Sequence, residues 1–188
     1  MARKTGKPID LRIPIALLLL VCGLFLPASS LAQNFPQMPR TEGESLAGHA
    51  VVLPDDTAGK VAVLIFGFTK ASKLQTGAWA DKLQSDFSAR ADFQLYQLPV
   101  LEDVPRILRS MIISGIRKGV PENRRDHFVP MLQGEEVTKK LAHYKEPDDA
   151  YLVVLDRAGG IALQIHGATN DATYGAAKSE IDSLLNQK

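Results

Sequence analysis

The residues able to do chemistry in this chain are few and scattered. Among 188 residues there is one cysteine, Cys22, and there are four histidines, His49, His127, His143 and His166. None of the histidines stands four residues from another histidine or in a metal-binding helix pattern, and the single cysteine cannot complete a ligand set with them. His166, in "HGAT" at the end of an apolar segment, is the best placed of the four, beside the simpler reading of a solvent-edge histidine. Asp148, Asp156 and His166 are the groups from which an enzyme or metal carrier without cysteine would have to be built. Thr69 and Ser72 lie at the start of an expected helix. A hydroxyl there gains little from the helix end, because its pKa starts far too high, and capping is the better role. No nucleophile elbow, P-loop or dinucleotide fingerprint is present. The glycines of "DRAGG" sit in a hairpin and not at a helix start, so they cannot cradle phosphate as a P-loop does.

The densest charge is in "RKGVPENRRDHF", with Arg117, Lys118, Arg124 and Arg125 close together. It reads either as a solvated loop or as a contact for an acidic partner or phospholipid headgroups. These four residues are the candidate partner-contacting surface, and residues 117–125 are expected to be held in place by the apolar helix before them. The overall charge is +1, which gives no footprint for nucleic acid.

The charge is unevenly placed. Residues 1–32 hold Arg3, Lys4, Lys7 and Arg12 against Asp10 alone, and the rest carries 18 basic and 20 acidic residues, a net of −2. The basic start "MARKTGKPIDLR" is followed by the uncharged "IPIALLLLVCGLFL" and then by "PASSLAQ", the order of a secretory signal peptide. Cleavage is expected after Ala32, giving a periplasmic or secreted protein whose leader meets the membrane during export. The alternative is an uncleaved anchor, but fourteen helical residues span about 21 Å against a hydrocarbon core of ~30 Å. A lipid-modified Cys22 is disfavoured by its place deep in the apolar run, after Val21. With the leader removed, no cysteine remains for a disulfide, for thiol exchange or for a metal. No cofactor is expected.

These residues must be positioned by the rest of the chain. Residues 33–48, rich in Pro, Gly and Ser, read as a linker, with the domain over 49–188. "HAVVLP" reads as a short strand. "VAVLIF" is a continuous apolar run, as in a strand buried on both faces. Trp79, Leu83 and Phe87 recur at helical spacing within 71–89. "FQLYQL" alternates as a strand. Val104, Ile107, Leu108, Met111, Ile112 and Ile116 form an apolar stripe that predicts a helix over 104–116. Residues 122–144 read as helical in pieces, broken near Gly134. "AYLVVL", "DRAGG" and "IALQI" form an antiparallel hairpin, and 171–185 an amphipathic helix. A strand–helix–strand crossover followed by a hairpin and a helix predicts an α/β, three-layer fold. A mixed sheet is covered on both faces, and a helical insertion is added.

That order, with "LIFGFTKASKL" and "YLVVLDRAGGI", resembles the thioredoxin-like superfamily, and in particular Sco-type copper chaperones and peroxiredoxin relatives. In those families the Phe-Gly-Phe-Thr turn leads into a cysteine pair. The resemblance puts the first cysteine position on Ala71 and the second on Leu74 or Gln75, so the thiols are missing. It puts the superfamily's cis-proline on Ala150, or on Pro147 if a gap is allowed, and the Sco histidine on Asp148. A cysteine-poor branch, the mitochondrial ATP-synthase assembly factors and their bacterial look-alikes, is similar in "SLAGHAVVLP" and in "AYLVVLDRAGGIALQIHGATNDATYGAAKSEIDSLL". The chain differs from them in its own bacterial-style leader. The resemblance implies a redox-inactive protein that binds an unknown protein partner and assists assembly of a membrane or envelope complex, not an enzyme.

Overall fold

The computed structural model describes residues 36–187. The leader, its cleavage point and Cys22 lie outside the described residues. Twelve short elements are arranged in order: β1 (Thr41–Glu44), β2 (Ala50–Leu53), a 3-10 turn, β3 (Val61–Gly67), α1 (Lys73–Phe87), β4 (Phe93–Pro99), α2 (Arg106–Gly119), a second 3-10 turn (Glu122–His127), α3 (Glu135–Leu141), β5 (Ala150–Leu155), β6 (Ile161–His166) and α4 (Asp171–Asn186).

The central sheet runs β4-β3-β5-β6. β3 pairs parallel with β4 across the α1 crossover, and antiparallel with β5, which turns back antiparallel into β6. This is the expected mixed sheet. Every residue of β3 is buried because side chains alternate between two covered faces. Val61, Val63 and Ile65 meet Trp79, Leu83 and Phe87 of α1 and Ile181 and Leu184 of α4. Ala62, Leu64 and Phe66 meet Val51 and Leu53 of β2 and Leu141 of α3. α4 opens on a capping box in which Asn170 and Thr173 satisfy each other's backbone amides, as the helix start requires.

Three expectations change. The described part of 33–48 is not a linker: it holds β1, and Met38, Ser45 and Leu46 are buried. β1 pairs with β2, and a Cβ on Gly43 would come within 2.6 Å of Val129, so the domain includes this segment. Residues 128–131 are not helical. They run parallel beside β4, with Val129 N–H donating to Gln97 O at 2.9 Å and Met131 N–H to Pro99 O at 2.8 Å. The third concerns α2. Its helix forms as expected, but it buries no residue, and Ile107, Leu108 and Met111 are 86%, 41% and 64% exposed. The faces of the sheet are already taken by α1 and α4 on one side and by β2 and α3 on the other. α2 is therefore an outer appendage, not a rigid core support for residues 117–125. Arg109 ties it down, donating to the carbonyls of Glu102, Val104 and Leu132 at 2.6, 2.9 and 3.4 Å.

Candidate functional site at the end of the central strand

β3 ends at Gly67, and the chain turns through Phe68–Ser72 into α1. Glycine is required at 67 because a Cβ there would lie 2.6 Å from Ser72 Oγ and 3.0 Å from Thr76 Cγ2. Ser72 is buried and does not cap the helix with its side chain. Its Oγ donates to Thr69 O at 2.8 Å, and its N–H donates to Thr69 Oγ1 at 3.2 Å. Thr69 Oγ1 in turn donates to Asp148 at 2.7 Å, tying the turn to the segment before β5. Both hydroxyls are thus committed to holding the turn.

The positions assigned to the redox pair divide into two kinds. Ala71 is exposed, and Leu74 is 84% exposed. Gln75 is half-buried, and its Oε1 accepts from the backbone N–H of Ala150 at 3.2 Å. Ala150 is wholly buried and sits opposite Gly67 in the β3–β5 register. A proline at 150 would carry no N–H; with alanine there the amide needs an acceptor, and Gln75 supplies it. Pro147 is not in a cis peptide bond; among the described residues the only such bond is Leu53–Pro54.

His166, at the end of β6, comes to the same end of the sheet. Its Nδ1 lies 2.9 Å from Asp149 Oδ2, and its ring stacks on Tyr151 at 5.8 Å. Tyr151 stacks in turn on Tyr144 at 5.6 Å, and Phe68 packs edge-on against both tyrosines. The Tyr151 hydroxyl accepts from the N–H groups of Lys145 and Glu146 and donates to Glu146 O. Trp79 Nε1 donates to Gly167 O at 2.9 Å, fixing the turn after His166 to α1. Phe68 was visible within Phe-Gly-Phe-Thr; the roles of Asp149, Tyr144 and Tyr151 were not, because nothing local marks their convergence.

Of the three groups considered for chemistry without cysteine, Asp148 and His166 are at this end. Asp156 is at the other, where it accepts from Ala158 and Gly160 N–H and shapes the β5–β6 turn. Among the described residues no three His, Cys, Asp or Glu side chains converge as a metal group would need. The arrangement can orient an imidazole through Asp149 and present an apolar side chain, Leu74, to solvent.

The four cations of 117–125 do not form one patch. Arg124 pairs with Asp81 of α1 at 2.7 Å and borders an open groove of about 320 Å³ beside β4. Arg125 donates to Val120 O at 3.1 Å. Arg117 borders a different groove, of about 550 Å³, between β1, α2 and α3. Lys118 is exposed in the last turn of α2. In the β4 groove burial pushes the His127 imidazole below its ordinary pKa, and its neighbour Tyr96 is pushed up to about 12, also by burial.

Comparison with known proteins is informative at the level of fold. No protein-family model matches the chain, and no curated protein sequence matches it. Solved structures do. A putative thiol:disulfide interchange protein DsbE from Chlorobium tepidum superposes with a TM-score of 0.57 at 20% identity, covering 81% of this chain and 97% of that one. BsSco, of the Sco family of cytochrome c oxidase assembly proteins, gives 0.56 at 14% identity, over 83% and 96%. The exposed lipoprotein thioredoxin Etrx1 of Streptococcus pneumoniae gives 0.55 at 12% identity, over 76% and 99%. With the mixed sheet and its flanking helices, these likenesses establish that the chain has a thioredoxin-like fold.

Proposed function

We propose that this is an exported thioredoxin-like protein that performs no thiol chemistry and acts by binding a protein partner, in the assembly of a membrane or envelope complex. One observation carries the reading. At the end of β3, where the resemblance puts a dithiol, the chain places Ala71 and an 84% exposed Leu74, and uses Gln75 to satisfy the amide of Ala150. A turn held by Gly67, Thr69, Ser72 and Asp148 thereby presents Leu74, flanked by the exposed Lys70 and Lys73, and no thiol. The export part rests on the order of residues 1–32. The assembly part rests on the resemblance of the two motif segments to ATP-synthase assembly factors. Insulin reduction by dithiothreitol tests the chemistry. Without a thiolate, exchange has no attacking group, so the chain and its Cys22→Ser variant leave the rate at background. Acceleration that survives Cys22→Ser would overturn the reading.

A second reading is favoured by the His166–Asp149 pair at the same end. A carboxylate on Nδ1 orients an imidazole for proton transfer or metal binding at the other nitrogen. Under that reading a divalent transition metal shifts the His166 ring resonances at stoichiometric concentration. Under the binding reading they stay in place.

A further inference from the structure

Among the described residues α2 is the one long helix that buries no side chain. Ile107, Met111, Ser114 and Lys118 recur at i, i+4, i+7 and i+11, so they share one face, and all four are exposed. Leu108 flanks them, and with Ile107 and Met111 it makes three of the five large apolar side chains left in solvent among the described residues. The opposite side of the helix, with Arg109, Ile112, Ile113 and Ile116 half-buried, is the one turned to the protein. α2 contains Arg106, Arg109, Arg117 and Lys118 and no acidic residue. Arg109 is spent on carbonyls; the other three are exposed, and no ion pair holds them among the described residues. Of the two acids just before the helix, Glu102 is turned to the Glu135 amide, which leaves Asp103 as the nearer opposing charge.

We propose that the exposed face of α2 lies in the interface of a bilayer containing anionic lipid. The apolar tips of Ile107, Leu108 and Met111 enter the acyl boundary, and Arg106 and Lys118 meet the headgroups. Shape and charge favour an anionic lipid surface as occupant. The face is the convex side of a single helix that carries four basic residues and no acidic one, and the groove beside α2 opens on its other side, through Ile113 and Arg117. A basic helix whose exposed face carries aliphatic side chains flanked by cations is a form that binds membrane surfaces in plane. The inference is independent of the binding surface at the end of β3.

The leader's apolar run would itself adsorb to vesicles, so the readout must be local. Trp79 is the only tryptophan and is wholly buried, which leaves an introduced indole as the reporter. Full-length Ile107→Trp is mixed with vesicles of phosphatidylcholine alone or with phosphatidylglycerol, carrying brominated chains. Ala158→Trp, exposed in the hairpin at the far end of the sheet, is the control. The expected result is a blue shift and quenching at position 107 with phosphatidylglycerol, and neither at 158. Each cation near an anionic surface is worth roughly fivefold, so Arg106→Ser with Lys118→Ser should raise the lipid needed for half-maximal quenching about 25-fold. Equal quenching at both positions, no dependence on anionic lipid, or no response at 107 overturns the proposal. So does a crosslink from position 111 to a polypeptide with no vesicle response, which would make the face a protein-docking surface. Met111→Trp replaces Ile107→Trp if the latter fails to fold.

Discussion

Replacing Gln75 by alanine isolates the contact made at the position where the resemblance puts a redox cysteine. Gln75 Oε1 is the acceptor for the N–H of Ala150, and Ala150 has no exposure to water that could take its place. A buried donor left without a partner costs about 1–3 kcal/mol. Alanine returns a few tenths of a kcal/mol in helix propensity, so the net loss should be about 0.5–2.5 kcal/mol. For a domain of this size each kcal/mol lowers the Tm by roughly 2–4 °C, and the expected shift is about 1–10 °C. Gln75→Glu keeps an acceptor at the same reach and should lose much less. Urea denaturation of Gln75→Ala, Ala150→Pro and the double variant closes the cycle. Proline removes the donor, so Gln75→Ala should cost almost nothing in that background. Amide exchange at Ala150 provides a second reading should Ala150→Pro not fold: it should accelerate in Gln75→Ala. The reasoning is refuted if Gln75→Ala costs the same with and without the Ala150 amide, or if Gln75→Glu is as damaging as alanine.

Other contacts lead to further expectations. Trp79→Phe removes the donor to Gly167 O and should cost about 1–3 kcal/mol in denaturant titration, loosening the turn after His166. Gly67→Ala forces a methyl against Ser72 Oγ and should lower stability visibly in a thermal melt, whereas Leu74→Ser, on an exposed side chain, should leave it within about 0.5 kcal/mol. The Arg90 and Arg157 guanidiniums hold the Asp92 carboxyl well below the usual carboxylate range. Its contribution is present above the unfolded pKa of about 3.9 and lost as pH falls below it, so melts of Asp92→Asn should be flatter on the acid side. His127 works the same way in a higher window. Burial disfavours its imidazolium, the unfolded chain binds the proton more readily, and stability should fall as pH drops below about 6.5, less so in His127→Gln.

Much of the fold was legible because single strong patterns control it. The short, Val- and Ile-rich unbroken run of β3 fits a strand covered on both faces, and the i, i+4, i+8 spacing of Trp79, Leu83 and Phe87 puts them on one side of a helix. β1 was hidden because Thr-Glu-Gly-Glu has poor strand propensity; its pairing with β2 and the seat of Gly43 on Val129 create it. Residues 128–131 read as part of a helical stretch although Phe128 and Val129 favour a strand and Pro130 disfavours a helix; their extension is completed by pairing along the edge of β4. The stripe of α2 showed an amphipathic helix but could not show that both faces of the sheet were already occupied. At the site, the motif marked the turn that carries Ala71, Leu74 and Gln75, and the structure brings Gln75 onto Ala150. The bond between Gln75 and Ala150 and the His166–Asp149 pair join residues far apart in the chain, which no local pattern records.

If the turn after β3 is a contact surface and not a catalytic one, a partner must reach Leu74. A photo-reactive amino acid placed at Leu74 in cells tests this, with the same group at Ala158 in the opposite hairpin as control. A discrete covalent adduct with one polypeptide is expected from position 74 and none from 158. Adducts from 158 as strong as those from 74, or none from 74 in cells where the protein is folded and exported, would show that the turn is not the contact surface.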